Sequence, residues 1–161
     1  MSDTRYLDWP FFESRHVEMQ RELDAWAKAH ISQEPHTNVD GHCRELVAAL
    51  GEAGCLRHAV AGSAYGGTGE VLDTRALCLM RETLARHSGL ADFAFAMQGL
   101  GSGAISLHGT PAQKQRYLTR VASGTAISSG AAWGIAPLLA FGVLAGIVSR
   151  CPHRYASLLP P

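Results

Sequence analysis

The alternation of hydrophobic and polar positions near the start of the chain predicts an amphipathic helix. Between Asp8 and Ile31, apolar residues such as Met19 and Leu23 recur every three or four positions, and charged residues occupy the other faces. Asp8 is suited to cap such a helix, and Pro10 fits its first turn, where a backbone amide has no partner inside the helix. We therefore expect the first helix to run from Asp8 to Ile31.

Two more helices are predicted on either side of a glycine-rich loop. The pattern favours a helix from a cap at Asp40 to about Ala53, ended by Gly54 in the left-handed conformation. The following stretch has glycine at positions 62, 66, 67 and 69, and we expect no regular structure there because glycine loses the most conformational freedom on folding. Asp73 is predicted to cap the third helix, and Gly89 to end it.

The second half of the helical pattern contains a small-residue helix and a strongly marked last helix. Residues 91–109 are small and apolar on nearly every side, which predicts a helix buried against several neighbours. Thr110 to Gln113 form a capping box with Pro111 at the first helical position, and Gly124 is suited to the end of that helix. Because no convincing strand interrupts this order, the predicted fold class is all-α, a bundle of about five helices.

The charge composition argues against a nucleic-acid partner. The 161 residues carry 14 basic and 14 acidic side chains, without the surplus of Lys and Arg that phosphate binding requires. The charges are unevenly distributed, because every acidic residue stands at or before Asp92 whereas basic residues continue to Arg154. Four scattered cysteines without a C-x-x-C pair, and an N-terminus without an apolar signal segment, favour a cytoplasmic location.

Two further patterns do not meet the requirements of a cofactor or metal site. Gly99 to Ala104 fits the G-x-G-x-x-[GA] fingerprint of dinucleotide binding, but no second strand with an acidic residue about 20 positions on follows it. His36, His42 and Cys43 lie near one another but do not have the spacing of a zinc ligand set. We therefore predict no metal ligands and no cofactor-binding residues in this chain.

Several motifs in register give the chain a family resemblance. The stretch 81–127 contains an E-x-L-A-R-type helix, the small-residue helix and a G-[ST/N]-x-x-Q-K-x-x-Y-L signature, and a Y-G-G-x-G loop precedes them. The matching residues are Glu82, Leu84, Ala85, Arg86, Gly109, Thr110, Gln113, Lys114, Tyr117, Leu118 and the loop Tyr65–Gly69. In the order and spacing of these motifs, roughly residues 10–127 resemble the N-terminal helical domain of the acyl-CoA dehydrogenase family.

The resemblance implies a fragment of a flavoenzyme that oxidises acyl-CoA to 2-enoyl-CoA. In that family a glutamate of the C-terminal helical domain removes the α-proton, while FAD accepts the β-hydride. The S-E-P and G-S-D motifs that open the family's flavin-binding middle domain do not follow Ile127 here. We therefore expect the chain to hold no catalytic residue, to bind FAD weakly or not at all, and to be inactive alone.

The part of the family's site that this chain retains is expected on the fourth helix. By alignment to the family's small-residue helix, Ala96 and Leu100 fall at the floor of the acyl pocket, and Gly103 lies one further turn along the same face. The same residues also suit a core in which helices approach closely, and the two interpretations overlap because the pocket is formed between these helices. Ala96, Leu100 and Gly103 are the predicted substrate-binding residues.

An apolar tail, residues 128–161, is predicted to follow the helical domain of residues 1–127. Gly130 to Val148 contains no charged residue over 19 positions, is long enough to cross a bilayer, and is followed by basic residues. One interpretation is an anchor that holds a non-catalytic helical protein at a membrane or a partner. The other is a frameshifted or truncated reading frame that replaces the middle domain, which we favour because the family match stops abruptly.

Overall fold

The computed structural model describes residues 4–32 and 37–128, and within them the chain is helical. The five α-helices are α1 Ser14–His30, α2 Val39–Glu52, α3 Thr74–His87, α4 Gly89–His108 and α5 Pro111–Ala122. Short 3-10 helices lie at Arg5–Asp8, Cys55–Ala59 and Ser63–Tyr65, and no strand occurs in the described ranges. The predicted all-α fold of about five helices is therefore confirmed.

The predicted start of the first helix is wrong. α1 begins at Ser14, and Asp8 instead ends the preceding 3-10 turn. The amide of Glu13 donates a hydrogen bond to Nδ1 of His16, 3.0 Å away, which closes the first turn of α1. Phe12 packs against Tyr6 and lies before the helix. Its apolar side chain falls at a helical spacing from the apolar residues that follow, and for this reason the predicted helix starts too early.

α2 has the predicted position but a different cap. Asn38 caps this helix, because its Oδ1 accepts the amide of Gly41 at 2.9 Å. The predicted cap at Asp40 is therefore wrong, since Asp40 is the second residue of the helix. The predicted left-handed residue is confirmed, since Gly54 has a φ of +75° just after the helix ends at Glu52.

The loop between α2 and α3 is more regular than its glycines suggest. The prediction of no regular structure is wrong at Ser63–Tyr65, which form one 3-10 turn. Gly62 and Gly66 flank that turn with φ values of +98° and +94°. Residues with a Cβ rarely adopt these conformations, so the two glycines make the tight turn possible.

The junction between α3 and α4 is sharper than expected. Asp73 caps α3 as predicted, accepting the amides of Arg75 and Ala76 at 3.0 and 3.3 Å. Gly89 does not end that helix by a left-handed turn; it is the first residue of α4. Ser88 separates the two helices in an extended conformation, so the connection between them is a single residue.

The capping box of α5 forms as predicted. The amide of Thr110 donates to Oε1 of Gln113 at 2.8 Å, and the amide of Gln113 donates back to the Thr110 hydroxyl at 3.3 Å. Gly124 follows the helix with a φ of +72°, and a Cβ there would stand 2.7 Å from the carbonyl oxygen of Val47. The end of α5 is thereby packed directly on the backbone of α2.

The core joins all five helices around two groups of buried apolar side chains. The larger group lies between α1, α2, α3 and α4 and centres on Leu50, Leu56, Leu84 and Phe95, each with almost no solvent exposure. The smaller group, Val60, Leu118, Val121 and Ala122, holds α5 against the segment after α2. The 3-10 turn Cys55–Ala59 contributes to the larger group and leads into the smaller one, so it connects the two.

Within the part of the chain that the structure describes, none of the helices combines the length and the apolar character needed to cross a membrane. The predicted apolar segment 130–148 lies outside the described residues, as do the rest of the tail after Ser128 and His36 of the histidine group.

Candidate functional site

Helix α4 has one buried face and one open face. The buried side chains follow one side of the helix and include two serines and a glutamine: Ala91, Ala94, Phe95, Gln98, Ser102 and Ser106. The opposite side carries three large apolar residues that are mostly exposed, Phe93 at 57%, Leu100 at 75% and Leu107 at 65%. As predicted, this helix packs against several neighbours, namely α2, α3, α5 and the turn Cys55–Ala59, but within the described ranges one of its faces is open.

Two buried serines set the rotation of α4 about its axis. The hydroxyl of Ser102 donates to the carbonyl oxygen of Ala59 at 3.2 Å, and the Ser106 hydroxyl accepts the amide of Ala61 at 3.3 Å. Both bonds satisfy backbone groups of the segment after α2 that would otherwise lose a partner on burial. Because the polar side of α4 faces inward to make these bonds, its purely apolar side faces outward.

The outward side of α4 forms a continuous apolar strip, which we call the open face: Phe93, Ala96, Leu100, Gly103 and Leu107. Successive residues of an α-helix are rotated by about 100°, which places these five within roughly a quarter of the circumference. None of the five has a polar side chain. Asp92, at the start of the helix, is held away from the strip by its ion pair with Arg81 at 2.8 Å.

All three predicted substrate-binding residues lie on the open face. Leu100 is its most exposed side chain, whereas Ala96 and Gly103 are half-buried. A Cβ added to Gly103 would meet no atom within 4 Å, so this glycine leaves open space and is not required for close helix packing. The sequence prediction missed Phe93 and Leu107, although their spacing of seven residues on either side of Leu100 could have shown that they share its face.

The chain returns to the edge of the open face after α5. The Ser128 hydroxyl donates to the carbonyl oxygen of Gln98 at 3.0 Å, and the Ser128 amide donates to Oε1 of the same glutamine at 3.2 Å. Gly101 allows this approach, because a Cβ there would stand 2.7 Å from Oγ of Ser128. Ser128 is thus attached to the middle of α4, on the side between its buried face and the open face.

A cleft of about 360 Å³ lies between the last turns of α4 and the start of α5. Its lining includes Ala104, His108, Gln113 and Arg116, so it combines apolar surface with polar and cationic groups. None of the five open-face residues lines it, and the cleft and the open face are therefore separate features of α4.

A network of charged and polar groups fixes α1 against α3, away from the open face. Nδ1 of His16 accepts the amide of Glu13, so its Nε2 carries the proton and donates to Asp73 at 3.0 Å. Burial raises the pKa of Asp73, but the hydrogen bonds from His16 and the amide of Ala76 and the charge of Arg15 outweigh this effect. The pKa of Asp73 is consequently well below its usual range, which is the behaviour of a structural ion pair.

The described residues supply no metal centre, and the buried thiol of Cys55 is not activated. No group of His, Cys, Asp and Glu in the described ranges could hold a metal ion. Burial raises the pKa of Cys55 to about 11, so its thiol is protonated at neutral pH. A protonated, buried thiol is a core side chain and not a nucleophile.

These features define a helical domain that presents one long apolar helix face, without polar groups, beside its core. The model of the family described as "Acyl-CoA dehydrogenase, N-terminal domain" matches residues 13–125, more than two-thirds of the chain. The chain therefore belongs to the acyl-CoA dehydrogenase family through its N-terminal domain, as the sequence resemblance predicts. A comparison with curated proteins finds no match.

The chemistry of the open face suits an acyl chain and does not suit a flavin. Binding FAD requires donors for its phosphates and for the polar edge of its ring, whereas the open face offers only hydrocarbon. The two serines of α4, Ser102 and Ser106, are turned inward and used by backbone partners. The open face alone therefore does not fit a flavin.

Proposed function

We propose that this chain is part of a flavin-dependent acyl-CoA dehydrogenase, and that its open face forms one wall of the pocket for the acyl chain of acyl-CoA. The observation that carries this proposal is the exposed apolar strip on α4, in a domain that belongs to the family. Ala96, Leu100 and Gly103 are the proposed contact residues. We also propose a cytoplasmic location, in keeping with the free thiols of Cys43, Cys55 and Cys78.

The shape of the strip fits an extended hydrocarbon ligand. Ala96 and Gly103 have small or absent side chains, which allow a ligand to approach the helix closely, and Leu100 between them offers a broad apolar contact. Each methylene of an acyl chain gains about 0.8 kcal/mol when it leaves water for such a surface. Without hydrogen-bonding groups, the face can select for hydrocarbon but cannot orient a polar head.

We propose that the chain alone does not oxidise acyl-CoA. Removing the α-proton needs a positioned base and removing the β-hydride needs an acceptor, and the open face provides neither. The sequence after Ile127 lacks the S-E-P and G-S-D motifs of the family's flavin-binding domain. We expect the purified chain to bind no stoichiometric flavin and to leave an electron acceptor unreduced in the presence of FAD and acyl-CoA. A flavin-loaded chain, or one that reduces the acceptor, would contradict this proposal.

A chimera tests whether this domain can form a wall of the acyl pocket. Residues 1–127 of this chain would replace the N-terminal domain of a full-length member of the family, upstream of that member's own middle and C-terminal domains. If the domain still forms an acyl-pocket wall, the chimera should bind FAD and reduce an acceptor with acyl-CoA. A chimera that folds and binds FAD but is not reduced by acyl-CoA would show that this domain does not complete an acyl pocket.

A further inference from the structure

We propose that the open face of α4 is covered by residues 130–148 of the same chain. This inference goes beyond the proposed function, because it concerns what occupies the face in this protein and not what the family binds there. It rests on three observations: the exposure of the face, the point at which the chain leaves α5, and the composition of the sequence that follows.

The open face is too apolar to be an ordinary part of a solvated surface. Phe93, Leu100 and Leu107 are each more than half exposed and lie in one line along the helix. Single exposed apolar residues are common, but a contiguous row of large ones marks a surface that packs against something. We therefore expect this surface to be covered by hydrocarbon groups.

The chain itself arrives at this surface. Ser128 is attached to α4 by hydrogen bonds to the carbonyl oxygens of Met97 and Gln98, at 3.3 and 3.0 Å. Gly101 makes room for it, and Met97 and Gly101 lie on the side of α4 between its buried face and the open face. The next residues of the chain therefore start within one helix width of the strip that needs covering.

The sequence that follows Ser128 has the composition of a covering segment. Residues 130–148 contain no charged side chain over 19 positions, and their large members are Trp133, Ile135, Leu138, Leu139, Phe141, Val143, Leu144, Ile147 and Val148. From Phe93 to Leu107 the open face is about 21 Å long, whereas 19 residues span about 28 Å even when helical. From its attachment at Ser128 the segment can therefore reach both ends of the face.

Covering the open face in this way also blocks it. An acyl chain and residues 130–148 would compete for the same apolar surface, and the segment is present at the high effective concentration of a tethered group. The chimera proposed above contains only residues 1–127, so it tests the acyl pocket independently of this segment.

Site-specific photocrosslinking tests the proposal in the full chain. Leu107, which is 65% exposed, would be replaced by the photoreactive residue benzoylphenylalanine, and Val71, which is 80% exposed on the loop before α3, would be replaced in a matched control. Irradiation in intact cells, followed by purification under denaturing conditions, makes the result independent of solubility. Trypsin then releases residues 121–150 as one peptide, because no Lys or Arg stands between Arg120 and Arg150.

The expected result is a crosslink from position 107 to residues 130–148 in protein that migrates as a monomer, with no such crosslink from position 71. Fragmentation of the crosslinked peptide must place the adduct beyond Ser128. Crosslinks at dimer mass would assign the face to a second copy, and adducts to lipid or to another protein would assign it to a membrane or a partner. Each of these outcomes, and the absence of any adduct within residues 130–148, would overturn the proposal.

Discussion

Gly51 and Gly103 both lie inside helices, yet their surroundings are opposite. A Cβ at Gly51 would stand 2.5 Å from the carbonyl oxygen of Ser123 and 2.6 Å from Cα of Gly124, both of them backbone atoms. A Cβ at Gly103 would meet nothing within 4 Å. The first glycine is needed for the contact between α2 and the end of α5, whereas the second is needed by neither its helix nor its neighbours.

Alanine substitutions at these two glycines should change stability in opposite directions. Gly51→Ala is expected to lower the free energy of unfolding by more than about 1 kcal/mol, because backbone must move to admit the methyl group. Gly103→Ala is expected to raise it by up to about 1 kcal/mol, since alanine is the better helix former and the space is open. Urea unfolding of both variants checks this, and a shift of both in the same direction would contradict the packing described here.

Asp73 should make stability depend on pH in acid. Its pKa is lowered in the folded chain, so its contribution is complete above the ordinary carboxyl pKa of about 4 and is lost as the pH falls toward the lower folded value. Asp73→Asn keeps an oxygen for capping α3 but removes the carboxylate charge that accepts the hydrogen bond of His16 and pairs with Arg15. Unfolding free energies of the two proteins should differ at pH 6 and converge in acid below about pH 4. Curves that run parallel through this range would refute the role given to the carboxylate.

At the scale of whole elements, a helix start is predictable where it uses a common capping pattern. The box from Thr110 to Gln113 satisfies its own backbone groups, so α5 begins where the sequence indicates. The start of α1 is also closed by a local box, Glu13 with His16, but this pair is not a common capping pattern. The contacts that support it, of His16 with Asp73 and of Phe12 with Tyr6, are not visible in a local pattern.

The capping box of α5 gives a direct prediction at this scale. Thr110→Ala should lower the free energy of unfolding by about 1 kcal/mol, because the amide of Gln113 loses its acceptor. Thr110→Ser keeps the hydroxyl and should stay close to the parent protein. Chemical denaturation of the two variants side by side measures the difference, and equal stability of both would show that the box contributes nothing to folding.

Helix α4 shows how much of the candidate site could be predicted from the sequence. Alignment with the family selects Ala96, Leu100 and Gly103 correctly as one face of one helix. Apolar composition predicts burial against several neighbours but does not identify the open side, because a hydrophobic side chain does not indicate whether its cover is part of this domain. Only the positions of Ser102 and Ser106, bonded inward to the segment after α2, establish which side of the helix faces away from the core.

For the molecule as a whole, family membership and the open face lead to one account. This N-terminal domain folds around its own core and leaves the open face of α4 exposed within the described residues. In the sequence, the domain is followed by an uncharged segment instead of the motifs of the flavin domain. The two proposals above therefore both concern what occupies α4.

The kinetics of the chimera with a charge on the open face test this account most directly. Leu100→Asp would place a carboxylate against the acyl chain, at a cost above about 1.4 kcal/mol, so kcat/KM for acyl-CoA should fall about tenfold or more. Val71→Asp, on an exposed loop away from α4, should change kcat/KM by less than about twofold, as surface substitutions usually do. If Leu100→Asp leaves kcat/KM unchanged while the chimera remains folded and flavin-loaded, the open face of α4 is not a wall of the acyl pocket.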